Sequence, residues 1–382
     1  MLANKVKFTC HCYCFFCIII FSISILISTS LSAQDLSFLS KIADVSYVSL
    51  TGCDFLDDSE DMQSQMGIIG NYRKSKLTTY INRKNIYIQV DNNQKYDRFL
   101  KFNKQGVFID SCTLYNPKTD KSLGRYFDVK GKKIYFGTHF LSSAIYNTDL
   151  NPIFIPTVES GSQIDKNYGT TNIFTLGKRR ILSFSRNNTI IRDAKDLTII
   201  DTVNLHINRG FSYLNLPIVR SSHRKIIVGS GTLDSINVIN RRAKISSLSL
   251  NCSMPETDMS NLYVYPILDS RKYMLLDICR KLGENELFKR ESIYNRYIYI
   301  KREKKIYKLD SIYKQDISAQ MMLLNNAYAI NDYNVTKKCA LAVQIYSRDF
   351  LLEHINELPE ELVTLTSNLD SGDAVLLLIK FE

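Results

Sequence analysis

A basic pair followed by a short apolar or aromatic run recurs along this 382-residue chain, at a spacing that leaves few folds open. It reads Arg83-Lys84-Asn85-Ile86-Tyr87-Ile88, then Lys132-Lys133-Ile134-Tyr135-Phe136, then Arg179-Arg180-Ile181-Leu182-Ser183-Phe184. Arg224-Lys225-Ile226-Ile227-Val228 and Arg271-Lys272-Tyr273-Met274-Leu275-Leu276 continue it. Between Ile86, Ile134, Ile181, Ile226 and Met274 the steps are 48, 47, 45 and 48 residues. A near-constant step of that size predicts an array of equal supersecondary units.

Each run is short, not alternating, and rich in Ile, Tyr, Val, Leu and Phe, which suits a strand buried on both faces. The basic pair before it falls where a hairpin turn meets water. A second mark follows 17, 13, 12 and 14 residues after its anchor, at Asn103, Asn147, Asp193 and Asn240. Asn and Asp accept left-handed turn geometry and bond their own backbone, so these are further hairpin turns. The unit therefore reads as strand, basic turn, buried strand, outer strand, polar turn, edge strand. Four antiparallel strands in roughly 40–50 residues are one blade of a β-propeller.

Beyond Tyr294 the phase weakens. Lys337-Lys338-Cys339-Ala340-Leu341-Ala342-Val343 reads as a late copy of the phrase, with Arg348-Asp349-Phe350 as its outer turn. A short helix is expected within residues 315–330, and residues 354–370 read as an acidic connection. The last segment, Ala374 to Phe381, is an apolar strand that needs a partner, and Val45 to Leu50 is the first strand candidate. The expectation is an all-β, six-bladed propeller of four-stranded antiparallel blades, with seven blades as the alternative. Strands from both chain ends complete one blade, which removes unpaired sheet edges.

Residues 1–33 have the make-up of a secretory signal: Lys5 and Lys7, an apolar run from Cys14 to Ile27, and a small-residue exit at Ala33. The propeller domain is then 34–382. An uncleaved membrane anchor is the other reading of the same segment, and it would be the sole membrane contact. Cys53, Cys112, Cys252, Cys279 and Cys339 remain after the signal, an odd and widely spaced set with no CxxC. They read as buried small hydrophobes and not as a disulfide framework; Cys252–Cys279 is the one pair that could join neighbouring units, and it is not expected to. Leu50-Thr51-Gly52-Cys53 has the letters of a lipoprotein box, but the apolar run should end just before it and does not.

No HExxH, Cys–His zinc pattern, P-loop or GxSxG elbow is present, and the five histidines are not spaced as metal pairs. No cofactor is expected. Acids such as Asp165, Asp193, Asp234 and Asp277 would bind Ca²⁺ only if a ring brought them together at its channel. The net charge of +11 becomes +9 once Lys5 and Lys7 leave with the signal. Residues 271–308 alone hold twelve Lys/Arg against five acids, with Tyr294, Tyr297, Tyr299 and Tyr307 interleaved. Within that stretch Arg302, Lys304, Lys305 and Lys308 are the candidate patch for an anionic ligand. An envelope protein or an acidic glycan is the expected partner, nucleic acid is not, and the chain is expected to be a monomer.

Arg98-Phe99-Leu100-Lys101-Phe102-Asn103-Lys104-Gln105-Gly106-Val107-Phe108-Ile109 resembles a hairpin of the exported bacterial six-bladed, TolB-like β-propellers, with the pattern F-D/N-K-x-G-x-F-I. Asp373 to Phe381 is similar to their closing strand. The resemblance covers most of the chain and implies export to the periplasm or cell surface, more than any activity. The chain departs from that family in lacking a lipoprotein cysteine at the expected place. The functional expectation is a non-enzymatic binding or scaffold protein of the bacterial envelope that uses one propeller face. A metal-dependent hydrolase or lyase with its site at the central channel is the alternative.

Overall fold

A computed structural model gives the architecture. It describes residues 43–53, 77–90, 97–116, 121–122, 126–137, 144–155, 170–177, 179–185, 189–205, 218–220, 225–230, 232, 234–250, 262–280, 293–308, 334–335 and 340–381. The expected short helix within 315–330 lies outside them, as do the signal segment and Cys252.

Six antiparallel sheets follow one another along the chain and form a six-bladed β-propeller. Blade one is β2 (Leu77–Ile81), β3 (Asn85–Val90), β4 (Asp97–Asn103) and β5 (Phe108–Asn116), with a two-residue ribbon β6 (Lys121–Ser122) beside β5. Blade two is β7 (Tyr126–Lys130), β8 (Lys133–Gly137), β9 (Ala144–Asn147) and β10 (Pro152–Phe154). Blade three is β11 (Thr170–Leu176), β12 (Arg180–Ser185), β13 (Thr189–Asp193) and β14 (Ile199–Val203). Blade four is β15 (Ile218–Arg220), β16 (Ile226–Gly229), β17 (Ser235–Ile239) and β18 (Ile245–Ser249). Blade five is β19 (Leu262–Asp269), β20 (Tyr273–Arg280), β21 (Ile293–Ile300) and β22 (Lys305–Lys308). Blade six takes β23 (Asn334–Val335), β24 (Ala340–Ser347) and β25 (Ala374–Phe381) from the C-terminal part and β1 (Ala43–Leu50) as its outer strand. The β1–β25 ladder runs in register from Ala43↔Phe381 to Leu50↔Ala374, so both chain ends close the ring, as expected.

Burial falls from the inner strands outward. Ile86 to Gln89 of β3 and all of β16 are buried, which explains why the second strand of each blade is a continuous apolar run. The fourth strands face water: Ile199 to Thr202 of β14 are all exposed. The blades are joined by apolar clusters. Tyr87, Phe99 and Leu114 of blade one pack with Phe127, Phe136, Tyr146 and Leu150 of blade two. Phe99 meets Phe127 and Phe136 edge-on, with ring centroids 4.7 and 5.0 Å apart. Leu182 and Phe184 of blade three share a cluster with Ile226 and Val228 of blade four, and Leu50 and Leu376 of blade six share one with Ile86 and Phe102 of blade one.

Blade six departs from the sequence expectation. Arg348-Asp349-Phe350 is not an outer turn; it opens helix α1 (Arg348–Glu353), in the connection between β24 and β25. Ser347 caps this helix, its Oγ accepting the Phe350 N–H at 3.2 Å. The stretch 354–370 contains a 3₁₀ turn (Ile355–Glu357) and helix α2 (Glu360–Ser367). Phe350, Leu351, Leu358, Leu362 and Leu369 drop into the core between blades five and six, and helices are the local structure that aims them there.

Candidate cationic face

The outer turn between third and fourth strands has a common build. Asn103 donates its N–H to the Val107 carbonyl at 2.9 Å, and its Oδ1 accepts the N–H groups of Gln105 and Val107, both at 2.9 Å. Asn147 does the same with Asn151 and Asp149, and Asn240 with Lys244 and Arg242. In blade three Asp193 Oδ1 accepts the Lys195 N–H at 2.7 Å. Such turns need a residue in the left-handed region. It is Gly106 in blade one, then Leu150, Leu197, Ala243 and, in blade five, Lys304, with φ of 87, 60, 64, 62 and 55°.

In blades one, two, three and five the basic pair lies at the turn between first and second strands, at the same end of the blade as the outer turn. The two kinds of turn are bonded together. The Thr148 N–H donates to Lys132 O at 3.1 Å, that of Ala194 to Arg179 O at 3.0 Å, and that of Lys301 to Lys272 O at 3.0 Å. Neighbouring blades join the same surface, since Lys101 of blade one donates through Nζ to Thr148 O of blade two at 2.8 Å. One face of the ring is therefore made of inner basic turns and outer Asn/Asp turns.

That face is rich in exposed cations. Blade one supplies Arg83, Lys84 and Lys104, blade two Lys132, and blade three Arg179, Arg180 and Lys195. Blade four adds Lys225, Arg241, Arg242 and Lys244, and blade five Arg271, Lys272, Arg302, Lys304 and Lys305. Asp149, Asp196 and Glu303 are the exposed acids of these turns among the described residues. All three acids are engaged locally, Asp149 by the Lys101 ammonium at 3.8 Å. Thr198 donates side-chain and backbone hydrogen bonds to Asp196, which hold its carboxyl below the ordinary range. Glu303 accepts the Tyr307 hydroxyl at 2.7 Å, and that bond, with burial and the Glu303 charge, raises the Tyr307 phenol. Lys301 differs from its neighbours: its ammonium turns inward to the Asp269 carboxylate and the Ser270 carbonyl and ties the outer turn to the inner one. The fields of like charges fixed around one face add.

Of the patch expected from sequence, Arg302, Lys304 and Lys305 lie together on the outer turn of blade five; Lys308 ends β22, and its side chain is outside the described residues. The cations of the other blades belong to the same face, which the sequence reading treated as separate solvated turns. The acids considered for Ca²⁺ do not converge where described: Asp193 caps a turn on the cationic face, whereas Asp234 precedes β17 at the opposite end of its blade. Asp165, His139 and His206 are outside the described residues, as is the side chain of Asp277. His354, the residue that ends α1, packs at a tilt against Phe350, with centroids 4.7 Å apart. Among the described residues no three His, Cys, Asp or Glu side chains come together as metal ligands would. Cys53 is buried at the end of β1, and lipidation there would cost the ring its closing strand.

No family model matches the sequence, and no curated protein matches it. Solved structures do. A protein of Bacteroides fragilis described as exported is similar over 89% of this chain and 96% of its own, at 13% identity and a TM-score of 0.54, a likeness of fold. A member of the DUF4221 family from Bacteroides vulgatus aligns over 89% of this chain and 99% of its own, at 10% identity and a TM-score of 0.46. Virginiamycin B lyase from Staphylococcus aureus aligns over 88% and 99%, at 9% identity and a TM-score of 0.42.

Proposed function

We propose that this chain is an exported, non-enzymatic binding module of a bacterial envelope, holding an anionic partner against the cationic face of its propeller. The observation that carries the reading is the placement of both turn types at one end of the blades, bonded to each other in blades two, three and five, which sets exposed cations of the first five blades on one surface. Export is supported by the basic start, apolar run and small-residue exit of residues 1–33, and by the exported description of the Bacteroides fragilis protein with the similar fold. Membership of the TolB-like propellers is a finer proposal, supported by the hairpin Arg98–Ile109, whose turn is the Asn103–Gly106 turn described above. A propeller by itself assigns no function; here the site is the charge pattern on the face.

The test is retention of the chain from Gln34 on an anionic resin at near-physiological salt. Replacing Arg302, Lys304, Lys305 and Lys308 together by Glu is expected to move elution to clearly lower salt. Elution at the same salt would remove blade five from the binding surface, and flow-through of the unaltered chain would remove the reading altogether.

A further inference from the structure

We infer that the anionic partner is a phospholipid membrane surface, on which the propeller lies with its cationic face down. This rests on the reading above and adds the class of partner. Two observations select it.

The first is the distribution of charge. The cations stand at the tips of turns around the ring, from Lys84 in blade one to Lys304 in blade five, and not along one groove. A planar anionic surface meets tips from several blades at once, whereas a single linear polymer crosses only some of them. Among the described residues Val107 is the one large apolar side chain exposed on these turns, so the contact is electrostatic and without deep insertion. Such contacts act within about a Debye length and weaken with salt.

The second is where the chain enters the fold. Ala43 pairs with Phe381 at the end of blade six where the other blades have their outer turns. Residues 28–42 separate that point from the apolar run Cys14–Ile27. While the run stays attached and seated in a membrane, the described chain starts from it at the cationic-face end of blade six. An apolar segment and a polybasic surface on one side are the two signals that peripheral attachment needs together.

The experiment uses the chain from Gln34, which keeps every described strand, so that binding reports the face and not the apolar run. It is sedimented with vesicles of phosphatidylglycerol and phosphatidylethanolamine, and with phosphatidylcholine vesicles, at about 0.05 and 0.5 M salt. Polygalacturonate is the parallel probe for an acidic glycan. Binding to the anionic vesicles alone, lost at high salt, is expected. R241Q/R242Q/R302Q/K304Q should weaken it by about fivefold for each cation removed. The swap R241K/R242K/R302K/K304R should retain it, because a charged plane does not distinguish the two cations, whereas a site built on guanidinium forks does. Binding to polygalacturonate but not to anionic vesicles would overturn the membrane and leave the cationic-face reading standing. Binding to neither would overturn both, and equal binding to phosphatidylcholine would overturn the electrostatic basis.

Discussion

Gly106 and Ser49 meet backbone to backbone at the seam of the ring: a Cβ placed on Gly106 would overlap the Ser49 carbonyl. Beside this contact the Thr51 N–H donates to Gly106 O, and the Phe108 N–H donates to Thr51 O, each at 3.0 Å. The end of β1 is thus fastened to the outer turn of blade one as well as to β25. Elsewhere the joint is apolar, as where Leu114 of blade one shares a cluster with Leu150 on the outer turn of blade two.

Gly106→Ala should open this seam. The added methyl meets backbone that cannot give, so a loss of about 3 kcal/mol or more is expected from urea unfolding. Gly131→Ala is the control. Its φ is +62° with nothing within 4 Å of the added carbon, so its cost is the left-handed penalty of roughly 1 kcal/mol. Equal losses in the two variants would mean that the close approach is not part of the folded ring.

The left-handed turn residues separate two effects that usually travel together. Leu150 is buried against the blade one and two cluster, so Leu150→Gly should lose several kcal/mol of packing despite relieving its backbone. Lys304 is exposed at φ 55°, so Lys304→Gly should be neutral to favourable, by up to about 1 kcal/mol. Denaturation midpoints that move the same way in both variants would contradict this.

Alkaline stability should depend on the joint between blades one and two. Burial, with the Asp110 charge adding, pushes the Cys112 thiol up to about 12, and burial, with Cys112 adding, pushes Tyr146 up to about 12. Both groups are acids that the unfolded chain ionises at about 8.5 and 10. As pH rises, the unfolded state releases protons first. The stability they contribute is therefore full below about pH 8.5 and falls as pH climbs toward 12. Urea midpoints should drop between pH 8 and 11, with a shallower drop in Cys112→Ser. Identical slopes in the two proteins would be evidence against the buried thiol.

The inward lysine of blade five should behave as half of a pair. Asp269 is 3% exposed and Lys301 26%. Lys301→Met leaves a buried carboxylate without its cation and should cost about 3–5 kcal/mol. Combining it with Asp269→Leu should recover part of that loss, and strict additivity in the cycle would deny the coupling.

Much of this architecture was legible in the sequence, for a physical reason. The second strand of blades one to four is covered on both sides, so it is written as an unbroken apolar run, and the turn before it must face water, so it carries the basic pair. The Asn or Asp opening an outer turn is equally visible, because its side chain closes the turn in Asn103, Asn147, Asp193 and Asn240. Blade five hid its outer turn: Ile300 stands where others have Asn or Asp, and Lys304 takes the left-handed position. Helices α1 and α2 hid because each buries only a few residues over a turn or two, too short for a helical period to stand out. The cationic face was missed for a different reason. Its cations were read one turn at a time, and only the alternation of strands places the first and third turns of blades one to five at one end.

The most direct measurement is the salt dependence of binding to an anionic probe for two pairs of substitutions on different blades and different turns. Arg83→Gln with Lys84→Gln removes the inner turn of blade one, and Arg302→Gln with Lys304→Gln removes the outer turn of blade five. If both turns belong to one binding face, both pairs should weaken binding and flatten the dependence of log K on log salt. Loss confined to the blade five pair would reduce the face to a local patch, and binding unchanged in both would contradict it.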